Sequence, residues 1–140
     1  MRLDVRPIVR AGQTPNGVRR LGFVTGGDVS GDRLQGRVVG GADWQTLRPD
    51  GSLCLDVRLA IETGEGSIVT MSYRGLRRGP AQVIERLEGG GEVDPASYYF
   101  RIAPLFETSS APLAWLNGVI GIGVGHRTAE GPVYVVHEVL

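Results

Sequence analysis

The chain contains no lysine. All fifteen basic side chains are arginine, which forms no Schiff base and stays protonated near neutral pH. Lysine-imine and pyridoxal-lysine chemistry are therefore excluded within the chain. There is one cysteine, Cys54, so an internal disulfide framework is excluded and a reducing cytoplasm is the expected setting. No histidine lies near Cys54 in sequence, and the expectation is an inert thiol in a strand rather than a nucleophile. No run approaches the ~20 apolar residues of a membrane helix. The charged start MRLDVRPIVR lacks the apolar core of an export signal. Neither charge is in excess, since fifteen acidic residues balance the arginines. That balance gives no electrostatic case for nucleic acid. Carboxylates, tyrosines, two histidines, amides and arginine remain for chemistry.

Glycine is abundant, at 22 of 140 residues, about twice the ~7% usual in proteins. Most glycines sit in turn-like clusters such as Pro15-Asn16-Gly17, Gly26-Gly27-Asp28, Gly40-Gly41, Pro49-Asp50-Gly51 and Gly64-Glu65-Gly66. Between them lie β-prone runs near 3–10, 18–25, 33–40, 53–62, 67–74, 98–107, 113–125 and 132–140. The clearest run, Leu53 to Glu62, is apolar at every odd position, with Asp56, Arg58 and Glu62 on the other face. This pattern predicts a half-buried antiparallel strand. One segment differs. Pro80 to Glu88 has Pro near a helix start, Val83, Ile84 and Leu87 at helical spacing, and Gly89 to stop it. The prediction is one domain, residues 1–140, all-β, folded as a closed antiparallel β-barrel of about eight strands with one short helix.

Nucleotide binding is not expected at Gly121-Ile122-Gly123-Val124-Gly125, because a phosphate-cradling loop opens a helix and this one leads into a strand. Alternate glycines clear one face of a strand, for curvature, a ligand or, as the preferred reading, a bulky neighbour. A hairpin of 121–127 with 132–138 would put His126 opposite Val133 and His137 opposite Ile122. The two rings are then ~13 Å apart along the ladder, too far to share an ion. No metal centre and no cofactor are expected. No Gly-x-Ser-x-Gly elbow supports a serine hydrolase.

Acid–base chemistry remains. In Gly40-Gly41-Ala42-Asp43-Trp44-Gln45, a sharp turn at the glycines would set Asp43 against Trp44. A desolvated carboxylate has a raised pKa, suited to a general acid or base. The alternative is Asp43 capping its own turn with Trp44 in the core. Tyr73 shares parity with Val69 and Met71 and is a candidate buried hydroxyl, or core packing. Arg58, Arg74 and Arg101 lie on three separate runs. Pointing inward they could hold an enolate or carboxylate; pointing outward they are a solvated face. Five of the nine aromatic residues lie between Tyr98 and Asn117. Strand parity puts Tyr98, Phe100, Ile102 and Phe106 on one face and Tyr99, Arg101 and Glu107 on the other.

GGADWQTLRPDG at 40–51, LDVRLAIET at 55–63 and MSYRGLRRGP at 71–80 resemble the family called domain of unknown function 3237. VDPASYYFRIAPLFET at 93–108, AWLNGVIGIGVGHRT at 114–128 and VYVVHEVL at 133–140 continue the likeness over nearly the whole chain. The resemblance implies a small single-domain antiparallel β-barrel and no fixed catalytic motif. The expected function is binding of a small apolar or aromatic metabolite. Cofactor-independent isomerase, cyclase or lyase chemistry would use Asp43 or Glu107 as acid or base. Tyr73 would donate a hydroxyl and Arg58 or Arg101 would face the oxyanion. Trp44, Tyr99, Phe100, Trp115 and Asn117 would contact the substrate. The alternative is a non-catalytic carrier; a third reading is a structural protein. Apolar Val133, Val135 and Val136 suggest a homo-oligomer.

Overall fold

Alternation along Leu53–Thr63 sends Leu53, Leu55, Val57, Leu59 and Ile61 to one side, and all five are buried. In the computed structural model, which describes residues 1–140, this strand is the fourth of eight in a closed antiparallel barrel. The strands are β1 (Arg2–Thr14), β2 (Gly17–Val29), β3 (Gly36–Leu47), β4 (Leu53–Thr63), β5 (Ile68–Arg78), β6 (Tyr99–Thr108), β7 (Gly121–Arg127) and β8 (Pro132–Glu138). Each pairs with its neighbour in sequence, and β8 closes on β1 where Arg2 faces Val133. Closure of an up-and-down barrel removes free strand edges. The expected eight-stranded barrel with one short helix is thus found.

The single helix, α1 (Ala81–Glu88), follows Pro80, ends at Gly89 and buries Leu87. It lies in the connection from β5 to β6. Because the strands run up and down, that connection shares one barrel end with the turns at 15–16, 48–52 and 128–131. The connections at 30–35, 64–67 and 109–120 share the other end. No helix is long and apolar enough to cross a membrane.

Two local expectations are corrected. Gly40 and Gly41 do not make a turn. β3 runs through them, with a bulge between Val38 and Gly40 against β4. Added as a side chain, a Cβ on Gly41 would lie 2.3 Å from the Arg58 carbonyl oxygen, so Gly41 serves close strand approach. The second correction is at 113–118, which is a 3₁₀ segment, Ala111–Gly118, rather than strand. Asn117 fastens it to β6. Its Oδ1 accepts from Thr108 N at 2.8 Å and its Nδ2 donates to Thr108 O at 2.9 Å.

The β7–β8 register puts His126 opposite Val133 and His137 opposite Ile122, as the hairpin predicts. The alternate glycines of β7 meet the large residues of β6. A Cβ on Gly121 would sit 2.7 Å from Pro104, on Gly123 2.4 Å from Ile102, and on Gly125 2.7 Å from Phe100. Packing against bulky neighbours is therefore the role of this motif. Ile102 is buried at 2% exposure and has no room to move. Gly123→Ala is expected to cost about 1–3 kcal/mol through overpacking. Adding the same change to an Ile102→Ala background should cost little, because the clashing branch is gone. Urea denaturation of all four members of the cycle checks this; an equal cost in both backgrounds would exclude the clash.

Candidate active site

The inner face of β3 carries Asp43 and Gln45, two residues apart and so on the same side of the pleat, both 6% exposed. Register brings Gly22 of β2 opposite Asp43 and Arg20 opposite Gln45. The absence of a side chain at Gly22 lets Val5 pack there: an added Cβ would sit 2.7 Å from Val5 Cγ1, and 3.7 Å from both Asp43 Cβ and Gln45 Nε2. From β5, Tyr73 and Arg77 point inward on the parity of Met71. Phe100 arrives from β6, Arg127 from the end of β7, and Tyr134 from β8. Helix α1 adds Leu87 and Glu88. Together with Val5, Ile8, Leu53 and Leu55, the side chains of Arg20, Asp43, Gln45, Arg77, Leu87, Glu88, Phe100, Arg127 and Tyr134 line a cavity of about 280 Å³ at the helix end of the barrel, and Tyr73 packs against Tyr134 beside it.

Polar groups in this cavity are densely but incompletely paired. Gln45 Nε2 donates to Asp43 Oδ2 at 2.6 Å. Arg20 Nη1 donates to Glu88 Oε2 at 2.8 Å, and Arg77 Nη2 donates to Glu88 Oε1. Asp43 Oδ1, Gln45 Oε1, Arg20 Nε and Arg77 Nε are buried without a hydrogen-bond partner. Four orphaned polar atoms on β2, β3 and β5, all facing one cavity, mark a site rather than a core.

Burial sets the ionisation here. It pushes the Asp43 carboxyl up to about 6, against the Gln45 amide and the Arg20 and Arg77 guanidiniums, which lower it. Burial also raises the Tyr73 hydroxyl well above the usual phenol range, helped by the neighbouring Tyr134. Tyr134 is raised by burial as well, with the Asp43 charge adding to the effect. Both phenols therefore stay protonated as donors. The rings of Tyr73 and Tyr134 meet edge-on at 5.7 Å, and those of Phe100 and Tyr134 at 5.3 Å. Desolvation, which alone would raise Glu88, is outweighed by Arg20 and Arg77, which hold it at about 2. Burial and then Arg77 lower the Arg127 guanidinium.

Of the residues expected from sequence, Asp43, Tyr73 and Phe100 come together in the barrel interior. The others do not join them. Trp44 alternates to the outer face and is 52% exposed, so the barrel interior, not the indole, desolvates Asp43. Tyr99 and Glu107 are also outward, and Arg58 is exposed. Arg101, half-buried, donates to the Phe100 carbonyl at 2.9 Å and lies over the Tyr99 ring. The outward parity of β4 and β6 thus separates Arg58, Arg101 and Glu107 from Asp43. Arg58, Glu107 and Asn117 instead border an open groove on the outer wall. Arg74 is exposed too, with Asp56 3.9 Å away.

Trp115 lines a second cavity, of about 720 Å³, at the opposite end with Ile61, Met71 and Phe106. Arg33 stacks on Trp115 at 3.6 Å and pairs with Glu138 at 2.7 Å, closing part of its rim. This cavity is larger and more apolar. The desolvated, half-paired carboxyl nevertheless lies in the smaller one, and chemistry follows the carboxyl. Tyr134 borders both cavities. Nowhere do three or more His, Cys, Asp or Glu side chains gather to hold a metal.

Sequence reasoning missed Arg20, Gln45, Arg77, Glu88, Arg127 and Tyr134. Two of them were within reach of parity: Gln45 follows Asp43, and Arg77 follows Tyr73 and Gly75, on the inward face.

The model of the family "Protein of unknown function (DUF3237)" matches residues 1–139. A UPF0311 protein of Bradyrhizobium diazoefficiens is 40% identical over 134 residues, covering 95% of this chain and 88% of that protein. The crystal structure of a conserved protein of unknown function from Rhodopseudomonas palustris is similar with a TM-score of 0.94 at 36% identity. It covers 99% of this chain and 91% of its own. More distantly, a hydroalkoxylation enzyme of Penicillium herquei is 26% identical over 106 residues, 76% of this chain and 56% of that enzyme.

Proposed function

We propose that this chain, which belongs to the DUF3237 family of proteins of unknown function, is an enzyme of cofactor-independent proton transfer. Its substrate is a small, mostly apolar or aromatic metabolite, and its reaction an isomerisation, cyclisation or elimination. One observation carries the reading: a buried carboxyl, Asp43, with one oxygen unpartnered and its pKa near neutrality, in a cavity walled by Phe100 and Tyr134. A carboxyl poised near the working pH both takes and returns a proton with little penalty. Tyr134, held protonated with the Tyr73 ring packed against it, donates to oxygen as charge develops, and Arg77 supplies positive charge.

The distant Penicillium relative supports the same class of chemistry. Hydroalkoxylation adds an alcohol across an alkene. An O–H bond and a C=C π bond break while a C–O and a C–H bond form, with no net oxidation. Such a reaction needs a base for the hydroxyl proton and an acid for the carbon, and one carboxyl can serve in turn. A carrier barrel has no need of a desolvated carboxylate, and Asp43 favours the enzyme for that reason.

The test is a panel of alkenyl phenols incubated in D₂O and followed by NMR. The expected product is a cyclic ether carrying deuterium at the newly formed C–H. Asp43→Asn is expected to lower turnover by about 10²–10⁴-fold, the usual weight of a general acid–base group. Full turnover by a folded Asp43→Asn protein would overturn the assignment, and binding of the panel with no turnover would favour the carrier.

A further inference from the structure

Positive side chains outnumber negative ones around the Asp43 cavity. Arg10, Arg20, Arg77 and Arg127 line it against Asp43 and Glu88. Glu88 is shared between Arg20 and Arg77. None of the ion pairs of the chain includes Arg127, although its neighbourhood is buried enough to disfavour its charge. The side chains of Arg20 and Arg77 are only 10% and 7% exposed, and the Nε donor of each has no acceptor. A buried guanidinium donor without an acceptor is costly. Two such donors beside an unpaired arginine are therefore an acceptor site that the protein itself leaves unfilled. The remaining walls are apolar or aromatic, from Leu53, Leu55, Leu87, Phe100 and Tyr134.

We propose that this cavity recognises its ligand through an acidic oxygen, the carboxylate or ionised phenol of a small aromatic acid. Arg77 and Arg127 clamp that oxygen, and Glu88 on α1 competes for the same guanidiniums. The inference rests on the reading of this cavity as the substrate site and names the substrate class. Guanidinium groups suit the purpose because their planar forks match carboxylate geometry. Asp43, whose Oδ2 is held by Gln45, lines the same cavity and is left for its separate task. Glu88 balances part of the positive charge of Arg20 and Arg77.

The probes are benzoate, its neutral analogue benzamide, and 4-nitrophenol, whose ionised form absorbs visible light. Binding is measured by calorimetry to the wild type and to Arg127→Gln, Glu88→Gln and Asp43→Asn. Benzoate or 4-nitrophenolate should bind at least ~10-fold more tightly than benzamide, the difference of one charge-assisted contact. Arg127→Gln should remove that preference while leaving benzamide binding unchanged. Glu88→Gln should tighten anion binding several-fold, an independent arm should Arg127→Gln fail to fold. Preference for benzoate identifies a carboxylate ligand; a rise in visible absorbance on adding protein to 4-nitrophenol identifies a phenolate. Either result upholds the proposal. Equal binding of benzoate and benzamide, binding of no probe, or anion preference untouched by both Arg127→Gln and Glu88→Gln overturns it. Asp43→Asn should retain anion binding, so loss of the proton-transfer reading and loss of the anion site are distinguishable.

Discussion

Replacing Asp43 by asparagine is expected to stabilise the fold above pH 6 by up to about 3 kcal/mol and to flatten its pH dependence between about pH 4 and 6. The folded carboxyl sits at about 6 against an ordinary 3.8. Between those values the native state holds a proton that the unfolded chain has released. Stability attributable to the group therefore falls as pH rises through the window, and the loss is complete above it. Burial makes this a large effect: at 6% exposure the side chain has little solvent to screen it. Asparagine keeps the shape and can still accept from Gln45, while removing the charge that the interior disfavours. Urea denaturation of both proteins at pH 4, 5, 7 and 8 checks the point. Parallel pH profiles for the two would show that Asp43 is not the group responsible. A carboxyl that weakens its own fold at neutral pH, where asparagine has the same shape, fits a group kept for function.

How much of this was legible in the residues depends on which interaction decides each feature. Parity is local, so it could be read where a strand alternates cleanly. It placed Leu53 to Ile61 and Tyr73 inward and separated Phe100 from Tyr99 and Arg101. The helix after Pro80 was legible for the same reason, since its signals all lie between Pro80 and Gly89. Asp43 was found with a mistaken cause. Gly40 and Gly41 resemble a turn because nothing local distinguishes a turn from a bulge where another backbone presses close. Only the register with β4 shows that the Arg58 carbonyl takes that space. Trp44 then lands outside and Gln45 inside. The aromatic stretch from Tyr98 to Asn117 looked like one site, but it spans a strand and a 3₁₀ segment at the far end of the barrel. Its members Phe100 and Trp115 serve different cavities. Least legible was the arginine cluster around Glu88. Arg20, Arg77 and Glu88 come from two strands and the helix, 68 residues apart at the widest, and only barrel closure brings them together.

That cluster yields the second large effect. Glu88→Ala should destabilise the protein by about 2–3 kcal/mol at neutral pH, because it leaves Arg20 and Arg77 mostly buried with no carboxylate between them. The breaking of a fully buried pair costs about 3–5 kcal/mol. Here the Glu88 side chain is 40% exposed, and water on that side screens part of the interaction. The pH dependence has the opposite sign to that of Asp43. Glu88 is held at about 2 against an ordinary 4.5. Its contribution is present above about pH 4.5 and is lost as pH falls towards 2, where wild type and variant should converge. Glu85→Ala is the matched control: it lies exposed on the same helix, so helix propensity changes equally while the arginines keep their partner. Chemical denaturation of the three proteins at pH 7 and near pH 2.5 decides the matter. If Glu88→Ala costs no more than Glu85→Ala, the arginines are satisfied by water and the ion pairs carry no stability. If the difference appears at pH 7 and vanishes in acid, the two carboxylates of one cavity act in opposite directions. Glu88 then contributes in full above about pH 4.5, while the contribution of Asp43 is lost as pH rises from about 4 to 6. Taken together, the two groups contribute most at about pH 4, where Glu88 is charged and Asp43 still carries its proton.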